Sequence, residues 1–302
     1  MSLTQKAYSW YLGTLSIPMI LILLILRWKK SRIVTNARLC KLEPSLLFRI
    51  RFYQGACFDF LKLLHGNYGR TILARPRDES KLRTLKSSPS LLLSAHFHNW
   101  ELMGSWLTIV RGIPLLSAAQ PLKHPASQFG LEQIRKRTQV PVISRNIPRS
   151  ALRHLESGKT FGILWDQFSN RGETLAPLFG HLLRMDPLPP FLMLKSRAPV
   201  FVGALLPNGH FRIVQIYRGD WNRYPISDPG SVGRQSLNRA SADRLARRYH
   251  KVLEILIRAN PWCWYGLAHR RFKDQVSYEI VGSVSRETPS RTPVLVSRET
   301  LT

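Results

Sequence analysis

The sequence predicts an α/β domain with a mostly parallel central sheet flanked by helices, preceded by an N-terminal membrane helix. Three observations carry this. Short apolar runs recur at residues 90–95, 113–118, 140–144, 161–165, 200–206 and 211–217. Helix-like stretches lie between several of them, at 100–110, 126–137 and 189–195, and strands alternating with helices favour a parallel sheet. Before all of these comes a long aliphatic segment at the N-terminus.

That segment runs from Tyr8 to Trp28 with Arg27 as its one charge. It approaches the roughly 20 residues needed to cross a hydrocarbon core. Arg27, Lys29, Lys30 and Arg32 end or follow it, whereas Lys6 and the amino terminus are the positive groups before it. The bias of basic residues toward the cytoplasm therefore places the remainder of the chain on that side. Pro18 is compatible with a membrane helix, and no small-residue cleavage site follows the run, as a secretory signal would require. Residues 1–32 are thus expected to form an anchor, 33–273 the folded domain and 274–302 a flexible tail. The tail repeats Val-Ser-Arg-Glu-Thr at 284–288 and 296–300 among Ser, Thr and Pro, too little for a repeat architecture.

Within the domain, Ser45 after Pro44 reads as the N-cap of an amphipathic helix ending near His65-Gly66. Pro207-Asn208-Gly209, between the last two apolar runs, has the composition of a hairpin turn. A late helix is expected over residues 241–259, where Leu245, Tyr249, Val252 and Leu256 recur at helical spacing and Asn260-Pro261 supplies the stop.

Charge narrows the list of partners. Lys and Arg number 45 against 18 Asp and Glu, a formal net charge of +27, which attracts anionic lipid, phosphorylated substrates, acidic proteins or nucleic acid. The basic residues are spread along the chain and form no recognition motif, which argues against nucleic acid. Cys40, Cys57 and Cys263 are odd in number and widely spaced, so neither a disulfide framework nor a zinc ribbon is indicated.

The densest chemistry lies in Ser94-Ala95-His96-Phe97-His98-Asn99-Trp100-Glu101-Leu102. An apolar strand ends, polar side chains follow and a helix begins, at the carboxyl end of a strand where open α/β sheets bind ligands. With Asn99 as the cap, His96 lies in the preceding turn and Glu101 in the first helical turn, so the two can converge. A neutral imidazole oriented by a carboxylate suits general-base removal of a proton from an alcohol. The sequence has no G-x-S-x-G nucleophile elbow. A metal site on His96-x-His98 lacks a third ligand nearby, and a structural role for His96 and Glu101 at a helix start remains the competing reading.

His96-Phe97-x-Asn99-Trp100-Glu101 resembles the H-x-x-x-x-(D/E) signature of glycerolipid-type acyltransferases. It is most similar to the H-F-x-N-W-E form of the lipid A late acyltransferases, the lauroyl and myristoyl transferases. Further elements follow in order: Gln120-Pro121-Leu122-Lys123-His124-Pro125, Val142-Ile143-Ser144-Arg145-Asn146, Trp165-Asp166-Gln167 with Gly172 and Pro177-Leu178-Phe179-Gly180, and His269-Arg270-Arg271-Phe272-Lys273. They are similar to the family's R-P-L-K-N-P, isoleucine–arginine, D-Q-D…G…F-F-G and H-R-R-F-K segments. The chain departs from that pattern at Gln120, Phe168, Leu178 and residues 184–188.

The resemblance implies a glycerolipid-acyltransferase-like fold and transfer of a fatty acyl chain from an acyl carrier protein to a hydroxyl of a phosphorylated glycolipid. It implies no metal or redox cofactor, and a place at the cytoplasmic face of the bacterial inner membrane. His96 would be the general base and Glu101 its orienting partner. Arg145, Asp166, Gln167, Lys123, Arg270 and Arg271 would contact substrate, and position 98 would be variable. The alternative keeps the chemistry but changes the acceptor to another glycolipid, an amino-acid lipid or a lysophospholipid.

Overall fold

The computed structural model describes residues 3–64, 72–121, 125–167, 169, 174–219 and 233–272. Among these, the strands are β1 (Leu73–Ala74), β2 (Ser90–Ser94), β3 (Leu115–Ala118), β4 (Val142–Ile143), β5 (Thr160–Leu164), β6 (Leu175–Leu178), β7 (His181–Arg184), β8 (Val200–Leu205) and β9 (His210–Tyr217). The helices are α1 (Leu3–Ile25), α2 (Lys30–Leu39), α3 (Leu46–Leu64), α4 (Glu79–Ser87), α5 (Trp100–Ser105), α6 (Pro125–Thr138), α7 (Ile147–Glu156), α8 (Leu188–Ser196) and α9 (Gly233–Ala259). The tail expected over residues 274–302 and the candidate Lys123 lie outside the described residues.

Seven strands form one sheet in the order β1-β9-β8-β2-β5-β3-β4. Every neighbouring pair is parallel except β8 and β9, which are joined through the expected turn. There Gly209 adopts φ 80°, and Asn208 Oδ1 accepts the His210 amide at 3.1 Å, the local bond that makes Asn a turn former. The remaining strands, β6 and β7, make a separate antiparallel hairpin.

A parallel sheet covered on both faces reads as a continuous apolar run, and β2 and β8 are buried along their whole lengths. Alternate side chains serve two cores. Leu91, Leu93, Val200 and Val202 pack with Leu155, Leu192, Leu245 and Leu253 of α7, α8 and α9. Leu92, Phe201 and Leu205 pack on the other face with Leu82, Leu85, Leu102 and Met103 of α4 and α5. The sheet is therefore the middle of three layers, and the carboxyl ends of β2, β3, β4, β5 and β8 lie along one edge.

The N-terminus meets the expectation of an anchor only in part. No single helix among the described residues is long and apolar enough to cross a membrane. Trp10–Ile25 and Lys30–Leu39, meeting at 90°, satisfy length and composition as a bent pair. The break falls where Arg27 and Lys29 both take left-handed backbone, each at φ 48°, so the chain turns just where the basic cluster begins. Helix α1 is two-faced: Leu12, Ser16 and Ile20, four residues apart, are buried, while Ile17, Leu21 and Ile25 are exposed. Helix α1 packs against α3, whose first turn is capped as expected by Ser45 Oγ, accepting the Phe48 amide at 3.1 Å.

Candidate active site

Strand register builds the site. Strands β2 and β5 run parallel with Ser94 beside Leu164, so the residues two places beyond each strand, His96 and Asp166, emerge side by side. Asp166 is fully buried and accepts three hydrogen bonds. His96 Nδ1 lies 2.7 Å from its Oδ1. The His96 main-chain amide donates to Oδ2 at 3.0 Å, and Trp264 Nε1 donates to the same oxygen at 2.8 Å. Burial pushes the Asp166 carboxyl up, but the His96 charge and these bonds outweigh it and hold the group down at about 2.

Because an ionised Asp166 can only accept, Nδ1 carries a proton, and Nε2 is the ring nitrogen through which a proton can be exchanged. Gln167 Nε2 sits 3.1 Å from His96 Nε2 on the open side of the ring, and the His96 side chain keeps 15% of its exposure. Trp100 packs edge-on against the imidazole at 4.9 Å between ring centroids, and His269 lies at 5.4 Å. Burial lowers the His269 pKa to about 4, reinforced by the His96 and Lys29 charges, so His269 is neutral at pH 7.

The expected His96–Glu101 contact is corrected by this geometry. Asn99 does cap α5, its Oδ1 accepting the Leu102 amide at 3.0 Å. Glu101, in the first turn, instead meets Arg135 of α6 at 3.5 Å. The reason is directional: the strand-end turn aims His96 across the sheet toward β5, whereas the helix aims Glu101 toward its neighbouring helix. The carboxylate on the histidine is Asp166, which the sequence had placed among substrate contacts.

The other expected contacts divide. Arg145 follows β4 and is exposed at the same carboxyl edge of the sheet. Beside it opens a cleft of about 380 Å³ lined by Ala119, Gln128, Arg135, Lys136 and Ser144. Arg270 is exposed, but its neighbour Arg271 is fully buried, and this corrects its expected substrate role. Arg271 Nη1 donates to the Arg184 carbonyl at 3.0 Å, and Nη2 lies 3.0 Å from His250 Nε2. Burial lowers its pKa to about 10, opposed by Asp166 and Tyr249.

Trp264 was invisible to sequence reasoning, because no local pattern marks a tryptophan that donates to a carboxylate 98 positions away. The Asp166–His96 pair was within reach: both follow apolar runs, and parallel strands bring such ends together.

A histidine tied through Nδ1 to a buried carboxylate, with Nε2 turned toward Gln167 at the carboxyl edge of an α/β sheet, has the geometry that general acid–base chemistry uses. Residues 77–274 match the model of the bacterial lipid A biosynthesis acyltransferase family, a span of more than half of the 302 residues that contains the whole site. The chain belongs to that family, which makes it an acyltransferase of lipid A or related glycolipid biosynthesis. No curated protein matches the chain.

Proposed function

We propose that this acyltransferase moves a fatty acyl chain from an acyl-carrier-protein thioester onto a hydroxyl of a lipid A precursor, with His96 as general base. The observation that supports it most is the 2.7 Å contact of His96 Nδ1 with buried Asp166 inside the family match. In the first step the acceptor O–H gives its proton to His96 Nε2 as its oxygen bonds to the thioester carbonyl carbon. Asp166 stabilises the imidazolium that forms. Collapse of the tetrahedral intermediate breaks the C–S bond, and the imidazolium returns the proton to the departing thiolate. Gln167 stands at the nitrogen through which the proton passes.

Surrounding residues supply recognition. Arg145, Lys123 and Arg270 are assigned to the phosphates of the acceptor or to the acidic carrier, and the cleft beside Arg145 to the acceptor head group. The excess of basic residues favours encounter with both. The exposed apolar stripe Ile17, Leu21 and Ile25 is assigned to the bilayer, with the bent pair α1–α2 holding the domain on the cytoplasmic face of the bacterial inner membrane. Glu101 is assigned to fixing α5 on α6 through Arg135.

The test is mass spectrometry of the products when purified enzyme meets acyl-carrier thioester and a panel of lipid acceptors. Gain of one acyl ester on a phosphorylated disaccharide lipid is expected. Acylation confined to lysophospholipid or an amino-acid lipid would replace the acceptor and keep the chemistry. An acyl-enzyme that accumulates without acceptor would overturn the general-base mechanism.

A further inference from the structure

His98, two residues from His96, is not a free side chain. It adopts φ 48° and turns its ring away from the site into the protein, where its side chain is 9% exposed and Nδ1 lies 2.9 Å from Asp59 Oδ2. The approach lacks the alignment of a regular hydrogen bond; it is a close contact between two buried polar side chains. Asp59 stands on α3, and its side chain is 7% exposed. Its Oδ2 also accepts the Tyr265 hydroxyl at 2.6 Å, and its main-chain carbonyl accepts Asn99 Nδ2 at 3.0 Å.

The arrangement mirrors the catalytic one. His96 meets Asp166, which accepts from Trp264; His98 meets Asp59, which accepts from Tyr265, the next residue. The segment carrying both aromatics also grips the loop by its backbone. The His98 amide donates to the Cys263 carbonyl at 2.7 Å, and the Tyr265 amide donates to the His96 carbonyl at 2.8 Å. The His96 loop is thus held on one side by β5 and on the other by α3. A carboxylate left buried without its partners is costly, so the contacts of Asp59 with Tyr265, Asn99 and His98 constrain the loop backbone.

We propose that Asp59, with His98 and Tyr265, is a positioning unit that fixes the His96 loop for acyl transfer and couples the α1–α3 helical pair to the catalytic centre. The inference rests on the acyl-transfer role of His96. It makes the N-terminal helices part of the working enzyme rather than a detachable tether, because the carboxylate that clamps the loop rides on the helix against which α1 packs. Lys62, Cys57 and Cys263 are titratable groups near this cluster; burial raises the pKa of both thiols, which leaves Lys62 as the cation among the three.

Asp59→Asn keeps the shape and removes the charge. In full-length enzyme it is expected to lower kcat by about 10- to 100-fold, as a displacement on the order of 1 Å does, with KM for donor and acceptor little changed. Asp78→Asn is the matched control: Asp78 is equally buried but pairs with Lys81 and Arg212 at another edge of the sheet, and its loss should leave kcat unchanged. A second readout needs no turnover. Carbethoxylation of His96, followed by peptide mass spectrometry in folded protein, should run several-fold faster in Asp59→Asn than in wild type or Asp78→Asn. Equal kcat and equal His96 modification in the two variants would overturn the positioning role. Full activity in His96→Ala, with modification still accelerated by Asp59→Asn, would overturn the acyl-transfer role and leave the loop clamp standing.

Discussion

Two carboxylates are candidate partners for His96, and they stand on different kinds of structure. Glu101 is five positions along the chain, in the first turn of α5; Asp166 is 70 positions away, at the end of β5. The distant one makes the bond. Parallel pairing of β2 with β5 aligns their ends residue by residue, so a turn leaving one strand meets the turn leaving the next. Helix α5 turns Glu101 onto Arg135 instead. Nearness in the chain is therefore a poor guide to partnership at a strand end, and register across the sheet is a good one.

Several measurements can break or sharpen that contrast, and the largest effect belongs to the histidine itself. His96→Ala removes the base, and turnover in folded protein should fall by about 10²–10⁴-fold, the usual contribution of positioned general-base catalysis. This sets the floor against which either carboxylate is read; undiminished turnover would dissolve the comparison. Arg271 and Arg270 give a smaller contrast between a buried and an exposed cation. Arg271→Gln leaves the Arg184 carbonyl and His250 without their charged donor, and should destabilise folding by about 3 kcal/mol or more in chemical denaturation. Arg270→Gln should leave stability intact and raise the apparent KM for anionic substrate at most about five-fold, since exposed charge contacts are worth up to ~1 kcal/mol. Equal stability of the two variants would return Arg271 to the substrate contacts.

Much of the architecture was legible in the sequence. The buried strands β2, β5 and β8 read as uninterrupted apolar runs because both of their faces are covered. The β8–β9 turn was marked by Pro207-Asn208-Gly209, the α5 cap by Asn99 and the end of α9 by Asn260-Pro261. The β6–β7 hairpin was missed because its strands span four residues each and Pro177 sits inside one of them. Helix α7 was missed because Pro148 and the basic residues Arg149, Arg153 and His154 masked the short stripe of Ala151 and Leu155. The bend that follows the apolar N-terminal run was not legible: the left-handed residues Arg27 and Lys29 turn the chain there, and hydropathy carries no record of φ. In the site, His96 could be named from its own segment. Asp166 was legible only as the end of another apolar run that parallel pairing could bring alongside; Trp264 and Asp59 were not legible, since they arrive from other parts of the fold that strand order and helix packing alone bring to the His96 loop.

The most direct test sets the two carboxylates side by side. Asp166→Asn and Glu101→Gln each keep size and remove one negative charge, and kcat of the purified variants is measured with the same acyl-carrier thioester and lipid acceptor. Loss of the orienting carboxylate should lower kcat by about 10²–10⁴-fold in Asp166→Asn, whereas Glu101→Gln, which weakens a helix–helix ion pair, should cost less than about ten-fold. The reverse order, with Glu101→Gln falling to the level of His96→Ala and Asp166→Asn near wild type, would contradict the account.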